Sequence, residues 1–345
     1  MSKLTYHEGI PDYFFELTQE NVLNHLKEMT LFYHKGKNDK TVLISTMLHG
    51  NETSGLEAIK QYFRDVLDKG ISDLSFLVLL GNPLAFSQNK RLIKGQLDRN
   101  RIWQLKGDHA DHLLAKSVID KIVNFPLVCA IDIHNNTGKN PYFCCVNRLD
   151  KSTLGLASLF GADGLFFEDP TNAFTTFMGR FCPSVTLECG VSGDEVGVRK
   201  AILYLKNSIR FAENGNFSEL EFTNDLFKSF GKFKIPVTTK VYFKPRKIES
   251  SNQDILADSV WFYDDLEKFN LREVPAGEKL GQIYGKVSMV RAESEFSEDL
   301  FPELFQVLGC DIVVKKKFFM AMVTKNVDVA KADCFFYFLK KLSTN

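Results

Sequence analysis

The sequence predicts an α/β protein in which a three-layer α/β/α domain, residues 1–217, precedes a smaller β-rich domain, residues 218–345. Three observations predict it. Short, continuously apolar runs such as Val42–Leu48 and Phe76–Leu80 alternate with segments of helical apolar spacing from Thr41 to Phe211, the pattern of strands sandwiched between helices. These runs carry apolar residues at successive positions, as strands buried on both faces do. After Asn214-Gly215-Asn216 the helical stripes become scarce, and β-type pieces separated by glycines and charged turns take over.

Residues 1–40 read as a peripheral lead-in with a helix around Thr18–Met29. Thr41–Leu48 is a buried strand ending in His49-Gly50-Asn51-Glu52. Ser54 suits a helix N-cap, and Ile59, Tyr62, Phe63, Val66 and Leu67 follow at helical spacing until Gly70. Leu74–Leu80 is the next strand, closed by the turn signal Gly81-Asn82-Pro83. A polar, basic stretch runs from Gln88 to Arg101. Ala110–Phe125 is helical through Leu113, Leu114, Val118, Ile122 and Val123, and Leu127–Ile133 is a strand delivering His134. Tyr142–Val146 and Leu165–Glu168 read as short strands and Leu154–Phe160 as a helix. Ser184–Leu187 delivers Glu188, with Cys189-Gly190 as the turn. Asp194–Phe211 closes the domain as a helix with Val198, Ala201, Ile202, Leu205 and Ile209 on one stripe. Beyond it, Val237–Phe243, Val260–Tyr263, Lys279–Val290, Ile312–Thr324 and Cys334–Leu339 read as strands.

Composition narrows the function class. Among 345 residues, 43 basic and 43 acidic side chains cancel, so no global field favours nucleic acid or an anionic membrane. The apolar runs fall far short of the roughly 20 residues that span a bilayer. Seven cysteines, an odd number, and a polar N-terminus predict reduced thiols and a cytoplasmic protein. The 31 phenylalanines are read as core volume. No glycine-rich dinucleotide fingerprint, Walker loop, nucleophile elbow or Cys-x-x-Cys is present.

The chemistry is concentrated at strand ends, where open α/β sheets gather ligands and catalytic groups. His49 and Glu52 close one strand and His134 closes another, a two-His, one-carboxylate set that leaves a fourth position for water, as catalytic zinc sites do. Asp132 lies two residues before His134 on the same strand face, placed to orient a ligand from behind. Glu188, at the end of a further strand, is the predicted general base and acid. From the basic stretch, Arg91 would stabilise an oxyanion, and Asn100 and Arg101 would clamp a carboxylate. The other histidines, His7, His25, His34, His109 and His112, read as surface residues.

These motifs resemble, in order and approximate spacing, the succinylglutamate desuccinylase/aspartoacylase family, an amidohydrolase branch of the zinc carboxypeptidase superfamily. The motifs are His49-Gly50-Asn51-Glu52, Gly81-Asn82-Pro83, Lys90-Arg91, Asp98-Arg99-Asn100-Arg101, Asp132-Ile133-His134-Asn135-Asn136-Thr137 and Glu188-Cys189-Gly190. The resemblance covers about residues 40–215 and implies a carboxypeptidase-like sandwich with a mixed, mostly parallel sheet, plus a β-rich C-terminal domain partly covering the active site. It implies zinc on His49, Glu52 and His134, one ion per chain, Glu188 as base and acid, Arg91 on the scissile carbonyl, and Asn100 and Arg101 on the substrate's α-carboxylate. One departure concerns specificity: Thr175-Thr176 is followed by Phe177 where aspartoacylases carry an arginine, and the nearest arginine, Arg180, is the remaining substrate-binding residue.

The expected function is hydrolysis of the amide of a small N-acyl amino acid by zinc-activated water, without nucleic-acid or membrane partners and compatible with a homo-oligomer. A zinc carboxypeptidase acting on short peptides or peptide conjugates is the alternative. A non-catalytic binding protein on the same fold ranks third.

Overall fold

The computed structural model describes residues 4–68, 70, 72–104, 107–246 and 258–342. The chain divides into two compact units, Met1–Asn135 with Tyr142–Asp225, and Asn136–Pro141 with Leu226–Asn345.

Among the described residues the first unit is built on eight strands: β1 (Thr5–Glu8), β2 (Thr30–His34), β3 (Thr41–Thr46), β4 (Ser75–Leu80), β5 (Leu127–Asn136), β6 (Phe143–Val146), β7 (Asp163–Phe166) and β8 (Ser184–Val191). They lie in the order β1-β2-β4-β3-β5-β8-β6-β7. The pairs β1/β2, β3/β4, β3/β5 and β6/β7 are parallel, whereas β2/β4 and β6/β8 are antiparallel. The helices are α1 (Val22–His25), α2 (Ser54–Asp68), α3 (Pro83–Phe86), α4 (Ala110–Ile122), α5 (Lys151–Ser158), α6 (Phe174–Met178) and α7 (Glu195–Asn214).

Alternation along the strands assigns the layers. Leu43, Leu77 and Leu79 share one core with Leu114, Val118 and Ile122 of α4 and Phe174 and Phe177 of α6. Phe76, one residue out of phase with Leu77, points the other way and meets Tyr62 and Phe63 of α2 edge-on. Helix α7 packs against α2. Helices therefore cover both faces, and every residue of β3 and β4 is buried, which is why these strands read as unbroken apolar runs.

The lead-in differs from its sequence reading. Thr30–His34 enters the sheet antiparallel to β4, and Thr5–Glu8 extends it in parallel. Leu31 and Phe32 are fully buried. The helix expected over Thr18–Met29 is one turn, Val22–His25, because Leu26 is already extended (φ −120°, ψ 117°). Among the histidines read as surface residues, His34 is half-buried between the Phe63 and Phe76 rings, and burial lowers its pKa.

The second unit contains β9 (Leu226–Lys234), β10 (Lys240–Lys244), β11 (Ser259–Tyr263), β12 (Arg272–Val274), β13 (Lys279–Tyr284), β14 (Arg291–Ser294), β15 (Phe305–Leu308), β16 (Asp311–Val314), β17 (Phe318–Ala321) and β18 (Phe336–Lys341), with two short helices, α8 (Phe301–Leu304) and α9 (Val327–Ala332). Strands β14, β9, β18, β17 and β12 pair antiparallel in that order. A five-stranded sheet runs β10-β11-β13-β16-β15. Phe233, Phe262, Phe305, Phe335, Phe336 and Phe338 form the centre of one core.

Two apolar stretches here do not form single strands. Lys279–Val290 stops at Tyr284, because Gly285 turns the chain (φ +151°) into a short 3-10 segment. Ile312–Thr324 is split by Lys315-Lys316-Lys317 into β16 and β17, which belong to different sheets. Conversely, β9 escaped the sequence reading. From Phe227 on, its buried residues alternate with half-buried ones, three of them lysines, and Gly231 stands at mid-strand, so no continuous apolar run marks it.

Candidate active site

All the residues assigned chemistry from the sequence lie in the first unit. β3 is followed by Met47, which is buried yet left-handed (φ 58°), a conformation that costs a non-glycine residue about 1–3 kcal/mol unless packing enforces it. The turn redirects the chain so that His49-Gly50-Asn51-Glu52 crosses the strand ends before α2 begins. Gly50 allows a close approach: a Cβ there would lie 2.2 Å from the carbonyl carbon of Ala85 at the end of the neighbouring β4 connection. Thr46 donates to the Ile133 carbonyl at 3.2 Å, tying the ends of β3 and β5 together and bringing His134 beside His49.

The two rings lie 5.1 Å apart, centroid to centroid, at 68°. Glu52 sits between them: Oε1 is 2.8 Å from His49 Nδ1, and Oε2 is 2.7 Å from His134 Nδ1. The three side chains are buried, and one ligand atom from each lies within 4.8 Å of the others. The far side of each ring meets a carboxylate. His134 Nε2 is 2.7 Å from Asp132 Oδ2, and His49 Nε2 is 3.0 Å from Asp98 Oδ1. Asp132 is itself held by the Ser45 hydroxyl.

A carboxylate can only accept, so the Nε2 atoms carry protons toward Asp132 and Asp98. The Nδ1 atoms face the Glu52 carboxylate in the same way and donate to it; a cation would take the place of those two protons, meeting the Nδ1 atoms and the Glu52 oxygens while the Nε2 protons stay on the side of Asp132 and Asp98. Imidazole nitrogen and carboxylate oxygen are zinc's ordinary donors, and the residues present fit a metal ion.

Without an ion, the group is held together by its own charges. Burial works against charge on Glu52, but His49 and His134 outweigh it and hold the carboxyl well below its usual range. Burial likewise opposes charge on His134, whereas Asp132 and Glu52 overcome it and lift the ring well above the ordinary imidazole value. Asp98 is held low against its burial by His49, Arg91 and Arg101.

Glu188 behaves differently. Burial pushes its carboxyl up to about 7, with His134, Glu52, His49 and Arg91 all acting on it electrostatically. Its Oε2 is buried without a hydrogen-bond partner. The carboxyl thus shares the environment of the His–Glu–His group and carries an oxygen committed to nothing in the protein.

Arg91 donates from Nη2 to Asp98 Oδ2 at 2.9 Å and lies 3.8 Å from Glu52 Oε1. The Asn100 backbone N–H donates to Asp98 Oδ1 at 2.8 Å, while its side-chain oxygen accepts from the Phe174 N–H at 3.0 Å. Arg101 is half-buried, with Nη1 donating to the Asn100 carbonyl at 2.9 Å. Arg180 is exposed, its guanidinium 5.0 Å from the centroid of the Phe177 ring, and the hydrogen bonds and ion pairs of the cluster do not include it. Two participants had no assigned role in the sequence reading. One is Asp98. The other is Asn135, whose side chain accepts from the Ser54 N–H and donates to the Cys189 and Gly190 carbonyls at 3.1–3.3 Å. Both stand inside motifs, and that was the signal available.

Comparison with known proteins gives a concordant result. The family model of the succinylglutamate desuccinylase/aspartoacylase catalytic domain matches residues 38–194. Succinylglutamate desuccinylases of Yersinia pestis (strain Pestoides F) and Yersinia pseudotuberculosis serotype IB (strain PB1/+) are each 36% identical over 72 residues, 21% of this chain and 22% of the relative. The match therefore spans about a fifth of those relatives' length. Among solved structures, the succinylglutamate desuccinylase of Vibrio parahaemolyticus is similar with a TM-score of 0.60 at 14% identity, covering 90% of this chain and 84% of that one. Murine aminoacylase 3 gives 0.60 at 13% identity over 88% and 96%. At such identities the likeness is one of fold: a mixed, mostly parallel α/β sandwich accompanied by a β-rich part.

Proposed function

We propose that this chain, which belongs through residues 38–194 to the succinylglutamate desuccinylase/aspartoacylase family, is a zinc-dependent amidohydrolase that cleaves the amide of an N-acyl amino acid. The observation that carries the reading is the uncommitted, buried oxygen of Glu188 in the same electrostatic environment as the convergent His49–Glu52–His134 group.

His49 and His134, through Nδ1, and Glu52 would hold the ion. Zinc, when bound, supplies a Lewis acid that acidifies water and polarises the acyl carbonyl. Glu188, with a pKa lifted to about 7, is poised both to take a proton from the attacking water and to return it to the leaving nitrogen, since a catalytic acid–base works best near the operating pH. Arg91 would face the negative charge developing on the carbonyl oxygen. The Arg101 guanidinium and the Asn100 amide would receive the amino acid's α-carboxylate, a planar anion that a guanidinium matches in a bidentate fork. Arg180, exposed beside the Phe177 ring, would be the remaining residue to meet the substrate.

The test is a panel of acetyl, succinyl and other acylated amino acids, run beside dipeptides on zinc-loaded protein, with free amine as the readout. Turnover of at least one acyl amino acid above the dipeptides is expected. Protein that binds one zinc per chain and hydrolyses none of them would overturn the assignment, and preferential dipeptide cleavage would replace it with a carboxypeptidase.

A further inference from the structure

The carboxylate of Asp98 stands between two groups that the proposed reaction uses separately. Its Oδ1 lies 3.0 Å from His49 Nε2 and accepts from the Asn100 N–H at 2.8 Å; its Oδ2 accepts from Arg91 Nη2 at 2.9 Å. Asp132 does the equivalent service for His134, but its other oxygen faces the Ser45 hydroxyl, which has no part in the reaction. The carboxylate behind His49 is thus shared with a guanidinium, whereas the one behind His134 is not.

We propose that Asp98 is a positioning residue that sets two things at once, the orientation and tautomer of His49 toward the metal ion and the placement of the Arg91 guanidinium beside it. The inference rests on the zinc amidohydrolase reading for its consequence in turnover. The first half does not need turnover to be checked. A carboxylate that accepts from Nε2 keeps the proton on that nitrogen and leaves Nδ1 as the donor to the ion, as partners behind ligating histidines do. The second half follows from geometry. Arg91 lies 3.8 Å from Glu52, so its short, charge-assisted hydrogen bond to Asp98 restrains it more strongly than that contact does.

The experiment uses the full chain and two readouts. Zinc affinity is measured by competition with a chromophoric chelator for wild type, Asp98→Asn, Asp98→Glu and Asp132→Asn. Removing such a partner weakens metal binding by about 10–100-fold, so both Asn variants should lose affinity on that scale and Asp98→Glu should recover part of it. Circular dichroism confirms that each variant is folded; should Asp98→Asn unfold, Asp98→Ser takes its place. The second readout is kcat/KM in combination with Arg91→Ala. Asp98→Asn with Arg91→Ala should lose less than the product of the two single losses, because both act through one placement, whereas Asp132→Asn with Arg91→Ala should multiply. Zinc affinity of Asp98→Asn within twofold of wild type would overturn the proposal, as would simple multiplication with Arg91→Ala. If wild type binds zinc but turns over no acyl amino acid, the function assignment fails while the affinity result still decides the role of Asp98 at His49.

Discussion

The backbone N–H of Asn135 donates to Oε2 of Glu52 at 3.2 Å, so the strand that delivers His134 also holds the carboxylate lying between the two rings. The same residue's side chain binds Ser54 at the start of α2 and the carbonyls of Cys189 and Gly190 beyond Glu188. One asparagine thus fastens three chain segments at the strand ends.

Asn135→Ala should therefore be costly without touching any ligand atom. It strands a backbone N–H and two carbonyls in a buried place, each at about 1–3 kcal/mol, so a total loss of about 3 kcal/mol or more is expected in urea unfolding. A loss under about 0.5 kcal/mol would show that solvent or rearrangement replaces these bonds.

Glu188→Gln keeps the size of the side chain and removes its ability to take a proton. Turnover should fall by about 10²–10⁴-fold, the usual contribution of a general acid–base, with zinc content still one per chain by metal analysis. Turnover within tenfold of wild type would remove Glu188 from that role.

The raised pKa of Glu188 also has a stability signature in metal-free protein. A carboxyl whose folded pKa of about 7 lies above its ordinary value of 4.5 binds more protons folded than unfolded. Its stabilising contribution is complete below pH 4.5 and is lost as pH rises through about 7. The difference amounts to about 3 kcal/mol at most. Subtracting the pH–stability curve of Glu188→Gln from that of wild type should show wild type losing ground from pH 4.5 to 7. A flat difference would mean that burial does not hold this carboxyl protonated.

Gly50→Ala tests the close approach beneath the site. The added methyl carbon would meet the Ala85 carbonyl carbon at 2.2 Å, backbone that cannot rotate aside. Overpacking of this kind costs about 1–3 kcal/mol, and the displacement would fall on Glu52, two residues on. A lowered melting temperature together with weakened zinc uptake is expected; an unchanged melting temperature would mean that the turn relaxes freely.

Much of the first unit was legible in the sequence because its information is local. Runs apolar on both faces, such as Val42–Leu48 and Leu74–Leu80, can be buried only in a covered sheet. The strands expected to end at His134 and Glu188 run on to Asn136 and Val191, so Cys189-Gly190 is strand and not turn, but both residues still lie toward the carboxyl ends, where such sheets collect polar groups. The β2 strand and β9 were not legible. In β2 the apolar stretch is only Leu31-Phe32-Tyr33, and in β9 every second residue is half-buried; their state depends on the neighbour each pairs with.

What the chain alone determined is which residues stand at the strand ends and what chemistry their types allow. Tertiary structure decided how they face. It turned both Nδ1 atoms toward Glu52, left one oxygen of Glu188 unpaired, put Arg180 at the surface, and brought Asp98 to His49 across 49 residues of sequence. The physical reason is range. Strand and turn propensities act over a few residues, whereas the direction of a buried ring is set by whichever distant carboxylate folding brings within hydrogen-bond reach.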